Sequence, residues 1–191
     1  MEIKPIRSHL HQFKKHLEAR VGSPGAIAEF GVYNGGSTRQ LATFCRPVYA
    51  FDTYSGTPEE GYRPELDWTD PPGKFKPRVT IEQMCEGFDN IVPVKGEFKD
   101  TCPTFDKDVK FVLVYMDCDH YHSYTYVLNW LIETERLYNN SVIICDDYPF
   151  CLGARKAIHE FCGKWGATYE SGEEMIVFPP GFASKKSRLT T

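Results

Sequence analysis

Asp117 and Asp119 stand one residue apart at the end of an apolar run, Phe111 to Met116, and His120 and His122 follow at once in FVLVYMDCDHYHS. Removing a carboxylate from water at the end of a buried strand is costly unless a metal, a ligand or a cation compensates it. A second acidic pair, Asp146 and Asp147, closes another apolar run in SVIICDDY. If the two runs are adjacent strands, Asp117, Asp146 and Asp147 meet at one point. Their repulsion would be relieved by a hard divalent cation with oxygen ligands, for which magnesium is the natural choice. The competing reading is that Asp146 and Asp147 only cap the helix that follows them.

A further candidate lies near the N-terminus, in EFGVYNGGS. This glycine turn departs from GxGxxG and has no Lys for cradling phosphates, so it is expected to hold a ligand by close backbone approach. Asp52 follows Gly31 by roughly twenty residues at the end of the next strand, where an acid accepts hydrogen bonds from ribose hydroxyls. Turn and acid together suggest a nucleoside-bearing cofactor, a logic that NAD sites share. Gly96 and Glu97 fall after a third strand at the same edge. Tyr54 and Phe98 are placed to flank an adenine or the cofactor tail.

These residues need a frame that gathers strand ends. AIAEF, PVYAFD, NIVPVKG, KFVLVYMD and SVIICDD read as five strands, mostly apolar throughout. STRQLATFC reads as a helix after the first. SYTYVLNWLIETERLY and LGARKAIHEFCGKW carry apolar residues at helical spacing after the fourth and fifth. The alternation predicts a doubly wound α/β fold, a mostly parallel seven-stranded sheet with helices on both faces. ATYES and EMIVFPP are expected to close it as an antiparallel hairpin, and residues 1–22 to form an N-terminal helix packed outside. In such sheets ligands bind beyond the carboxyl ends of the strands, where all the residues named above fall. Residues 55–79, with five prolines, three glycines and Tyr62, Trp68 and Phe75, are expected to form a substrate lid.

The 191 residues suit a single domain. A net charge of -4 excludes broad electrostatic binding to nucleic acid. The one basic cluster, SKKSRLTT, reads as a solvated tail. No window is apolar for long enough to span a membrane and the first residues lack a signal-peptide core, so a cytoplasmic protein is expected. Seven cysteines with no CxxC pair suit reduced, mostly buried thiols. The oligomeric state stays open, a homo-oligomer included.

The order of EFGVYNGGS, FDTYSGTP, GEFKDTCP, MDCDHYHSY and IICDDYPFCLGARKAIHEF resembles the class I S-adenosylmethionine-dependent methyltransferases, and among them the macrocin O-methyltransferase family of sugar-modifying enzymes. The resemblance implies a Rossmann-like fold, S-adenosylmethionine as cofactor and O-methylation of a small-molecule acceptor, a sugar hydroxyl above all. It implies cofactor contacts at Glu29, Gly31, Gly35 and Asp52. Tyr33, Ser37, Thr53, Tyr54, Glu97, Phe98 and Asp117 complete the expected cofactor site. The family's magnesium ligands correspond to Asp117, Asp146 and Asp147. The chain departs from the family in carrying His120 and His122 where nonpolar and acidic residues are usual, and in a shorter N-terminal region. Methyl transfer to a hydroxyl needs a base of near-neutral pKa. His120 is the first choice, with Asp119 and His122 as rivals and packing beneath the lid as the alternative role for either histidine. Arg155 is expected in a structural ion pair. Two other functions compete: a metal-dependent phosphohydrolase reading Asp117 and Asp119 as a DxD motif, and a non-catalytic cofactor-binding module.

Overall fold

The computed structural model describes residues 9–179 and 182. Residues 1–8 of the expected N-terminal helix and the basic tail SKKSRLTT lie outside the described residues. Seven strands form one sheet in the order β3-β2-β1-β4-β5-β7-β6. They are β1 (Ala26–Phe30), β2 (Val48–Asp52), β3 (Ile91–Lys95), β4 (Phe111–Met116), β5 (Leu137–Cys145), β6 (Thr168–Glu170) and β7 (Met175–Val177). β1 to β5 pair in parallel; β7 runs antiparallel to β5 and to β6. This is the doubly wound sheet with a closing hairpin that the sequence predicts.

Every residue of β1 and β4 is buried, which is why β4 reads as an unbroken apolar run and β1 as one broken only by Glu29, rather than as alternating strands. On one face, α5 (Phe98–Thr104), α6 (Tyr121–Glu133) and α7 (Leu152–Trp165) cover Ala28, Phe30, Phe51, Val114 and Met116. On the other, α1 (Leu10–Glu18), α2 (Gly36–Ala42) and α4 (Ile81–Cys85) cover Ile27, Val48, Ala50, Leu113 and Tyr115. Within the described residues the N-terminal helix spans Leu10–Glu18 and belongs to this second layer. Phe13 and Leu17 are buried, each contributing roughly 2 kcal/mol of apolar burial, and the Phe13 ring meets Tyr115 of β4 edge-on at 5.0 Å.

The helix expected through Tyr138 stops at Glu133, and β5 begins at Leu137, earlier than its apolar run suggests. Glu135 adopts φ 58°, and the Arg136 N–H donates to Leu131 O at 2.9 Å, a left-handed helix stop made without glycine. Arg136 is buried, donating to the carbonyls of Phe105, Asp106 and Val109 with its guanidinium 4.9 Å from the Trp130 ring. That anchorage fixes where the strand starts. Of the seven thiols, all unpaired, Cys45 is exposed and Cys85 half-buried, while the other five fill the core. Among the described residues no helix is long and apolar enough to cross a membrane.

Residues 55–79 carry one short helix, α3 (Pro64–Asp67), and are otherwise turns. The neck of the segment is closed by backbone bonds, Thr57 N–H to Lys74 O and Gly73 N–H to Thr57 O, both 2.8 Å. Its far end is fixed by Asp67, whose carboxylate accepts from Arg63 N–H at 3.0 Å and from Tyr121 N–H at the start of α6 at 2.9 Å.

Candidate active site

The parallel strand order reverses between β1 and β4, so the loops after these two strands part and leave a crevice at the carboxyl edge of the sheet. A cavity fills it. Gly31 is the residue that lets the two strand ends approach: at φ 90°, a Cβ built on it would lie 1.8 Å from the Asp117 carbonyl oxygen. Only glycine fits there. The turn is then held by Asp52, which accepts from the N–H of Val32 at 2.7 Å and of Tyr33 at 3.2 Å through Oδ2, and from Tyr54 N–H at 2.6 Å through Oδ1.

Of the residues expected to hold a cofactor, Gly31, Tyr33, Asp52, Thr53, Glu97, Phe98 and Asp117 line this cavity, and Glu29, Gly35, Ser37 and Tyr54 do not. Glu29 is fully buried and accepts hydrogen bonds from the hydroxyls of Ser37 and Thr38, so it ties β1 to the start of α2 beneath the turn. Gly35 is the N-cap of α2. The Tyr54 hydroxyl donates to Ala50 O at 2.9 Å. Residues 55–79 form part of the wall through Gly56, Thr57, Pro58, Glu60 and Phe75, and the Phe75 ring meets Tyr33 of the glycine turn edge-on at 5.7 Å.

Burial raises the Glu29 carboxyl to about 8 from an ordinary 4.5, outweighing the two hydroxyl donors. A carboxyl whose folded pKa is raised adds stability that is complete below its unfolded pKa and is lost as pH climbs through the folded value. Glu29 is therefore expected to make the protein less heat-stable between pH 4.5 and 8, by up to about 1.4 kcal/mol per pH unit. Melting curves of the unaltered chain and of Glu29→Gln should diverge in that window, the variant showing the flatter profile.

The acidic residues converge as expected. Asp117, Asp146 and Asp147 each offer an oxygen within 4.8 Å of the others. They arrive from the ends of β4 and β5, which are hydrogen-bonded in parallel, and Asp146 N–H donates to Met116 O at 2.9 Å. Burial, then the charges of Asp147 and Asp146, push the Asp117 carboxyl well above the usual range. Burial also raises Asp147, against donors at Asp119 N–H and the Tyr124 hydroxyl, both 2.9 Å from its Oδ2. Three carboxylates that oppose one another's ionisation at one point, with an oxygen-only donor set, fit a hard divalent cation.

A second group, Asp70, Asp119 and Cys151, offers ligand atoms at similar spacing, but Lys74 Nζ already lies 2.5 Å from Asp70 Oδ1. Asp119 adopts φ 58°, a strained conformation for a residue with a side chain. The bond to Asp147 holds it there, and Asp119 lines the cavity. His122 lines it too, its ring lying where a Cβ on Gly61 would come within 2.4 Å.

His120, expected first as the base, is turned away from the cavity. Its ring is buried and its Nε2 is 2.6 Å from the Asp70 carbonyl oxygen, with Tyr62 at 5.6 Å between ring centres. It pins the 55–79 segment to the start of α6, the alternative role named for it. Arg155, expected in an ion pair, instead donates to the carbonyls of Tyr148 and Pro149 and braces the turn after Asp147. Sequence reasoning missed Asp67 and Asp70, two acids of DWTD that are buried inside an otherwise polar segment. It also missed His9, whose Nε2 lies 3.1 Å from Asp146 Oδ1.

A sheet ordered β3-β2-β1-β4-β5-β7-β6, with a cavity at its reversal between a glycine turn and clustered carboxylates, defines a Rossmann-like methyltransferase. Solved structures share that fold. The O-methyltransferase NovP is 23% identical, with a TM-score of 0.69 over 85% of this chain and 74% of its own. The calicheamicin methyltransferase CalS11 is 20% identical, with a TM-score of 0.72 over 90% and 80%. An O-methyltransferase from Bacillus cereus, solved in complex with SAH, is 16% identical, with a TM-score of 0.57 over 93% and 84%. Among curated protein sequences none matches this chain. The chain belongs to the macrocin-O-methyltransferase (TylF) family, whose sequence profile matches residues 7–170, and it is an O-methyltransferase. The phosphohydrolase and non-catalytic readings are thereby replaced.

Proposed function

We propose that this enzyme passes a methyl group from S-adenosylmethionine to a hydroxyl of a sugar or sugar-containing small molecule, with magnesium or another divalent cation held by Asp117, Asp146 and Asp147. Asp117 carries the reading, because it belongs both to the cavity wall and to the carboxylate group. A donor in the cavity and a cation at the carboxylates would therefore be neighbours. The acceptor class is supported by CalS11, described in a second structure as a TDP-rhamnose 3'-O-methyltransferase, and the donor by the SAH of the Bacillus cereus enzyme.

When bound, the sulfonium supplies an electrophilic methyl, and the cation supplies positive charge that lowers the pKa of an acceptor hydroxyl. The chain's own residues do the rest. The glycine turn and Asp52 fix the donor against β1, while Glu97 and Phe98 limit it on the β3 side. Asp119, held over the cavity by its bond to Asp147, accepts the proton that the hydroxyl gives up as its oxygen takes the methyl carbon. His122, against Gly61, shapes the acceptor side. Residues 55–79 act as the lid that keeps water from the reacting atoms.

The test is calorimetric titration of the whole chain with S-adenosylhomocysteine, beside methyl transfer to nucleotide-activated deoxysugars with and without chelator. Binding is expected, together with a loss of transfer of at least about 100-fold on chelation that magnesium reverses. Failure to bind S-adenosylhomocysteine would remove the cofactor assignment; transfer untouched by the chelator would remove the cation.

A further inference from the structure

Helix α1 reaches the active site through His9, the N-cap just before its first residue. Its buried Phe13 and Leu17 seat it on the sheet across β4, and the Phe13 N–H makes the opening helical bond to His9 O at 2.9 Å. This brings the imidazole of His9 over the ends of β4 and β5, its ring centre 5.2 Å from that of Tyr115 and 5.8 Å from that of Phe13. Its Nε2 then lies 3.1 Å from Asp146 Oδ1, with both side chains largely out of solvent. The contact is of ion-pair length rather than an aligned N–H···O bond, and because a carboxylate oxygen cannot donate, a hydrogen shared across it must come from Nε2. His9 does not belong to the set of three residues whose oxygens converge, so it reaches one member of that set from outside it.

We infer that His9 is a positioning residue for the proposed cation site: from its 3.1 Å contact, Nε2 donates to Asp146 when the cation is bound and so fixes the orientation in which Asp146 meets the ion. The inference rests on the reading of Asp117, Asp146 and Asp147 as cation ligands. Carboxylates that bind metals are themselves commonly oriented by hydrogen bonds, whose loss weakens metal affinity roughly 10- to 100-fold. The cation site would then depend on α1, an element from the opposite end of the chain, and α1 would be part of the catalytic apparatus.

The experiment is titration of the full chain with manganese(II), followed by calorimetry, for the unaltered protein, His9→Phe and His9→Gln, with melting temperatures measured alongside. His9→Phe keeps a ring against Phe13 and Tyr115 but has no donor; His9→Gln keeps a donor. Manganese affinity is expected to fall about 10- to 100-fold in His9→Phe at a similar melting temperature, and to recover in large part in His9→Gln. Manganese binding by His9→Phe equal to that of the unaltered chain would overturn the role of His9 while leaving the cation site standing. So would a His9→Gln affinity no better than that of His9→Phe. If the unaltered chain binds no manganese, the cation site and the role of His9 fall together.

Discussion

Asp146→Asn is expected to lower methyl transfer by at least about 100-fold while leaving S-adenosylhomocysteine affinity within about twofold, because the charge stabilisation lost with a bound divalent cation amounts to several kcal/mol. The asymmetry follows from position. Asp146 belongs to the three-carboxylate group but not to the cavity wall, whereas Asp117 belongs to both. Removing one of three mutually repelling carboxylates also relieves the strain on the other two, so the fold should survive and the loss is readable as chemistry. Full turnover in Asp146→Asn would remove the cation reading. A matching loss of S-adenosylhomocysteine affinity would mean that the carboxylates serve the donor instead.

Gly31→Ala carries the second large effect, and it falls on the fold. The new methyl would sit 1.8 Å from the Asp117 carbonyl oxygen and 2.6 Å from its carbonyl carbon. Both atoms belong to the backbone at the end of β4, beside the bond from Asp117 N–H to Phe30 O at 2.9 Å, so no side-chain rotation relieves the clash. Separating the strand ends, with a left-handed residue retained, is expected to destabilise by at least about 3 kcal/mol. For a chain of this size that is a fall of roughly 6–12 °C in melting temperature. Gly36→Ala is the control: a Cβ there meets nothing within 4 Å, and little change is expected. Equal melting temperatures for the two variants would refute the steric account of the turn.

The parts of the fold legible in the sequence were those with a purely local signal. β1, β2 and β4 are apolar runs, β1 broken only by Glu29, that end at a glycine or an acid, and α7 carries its apolar spacing from Leu152 to the glycine after Trp165. The start of β5 was illegible because Asn139 and Asn140 separate its first residues from the apolar run, and because Glu135 takes a left-handed stop that normally announces itself with glycine. The carboxylate group was legible from strand ends alone. The side-chain directions around it were not: Asp119 and His122 face the cavity while His120, between them, is drawn under the 55–79 segment by the Asp70 carbonyl. Nothing local encodes that partner. The same holds for His9, which meets Asp146 only because Phe13 and Leu17 dock α1 on the sheet. Glu29 was legible as a special residue but not as a structural one, since its two hydroxyl donors lie on the following helix.

The neck bonds between Thr57 and Lys74 and the grip of Asp67 on Arg63 and Tyr121 bear on how an acceptor would be chosen. Much of the freedom of residues 55–79 is surrendered when the protein folds, so little further ordering entropy is charged to the encounter with a ligand. Discrimination at that wall would then rest on complementary shape against a preorganised surface, and poorly matched acceptors would be distinguished by faster departure rather than by slower arrival.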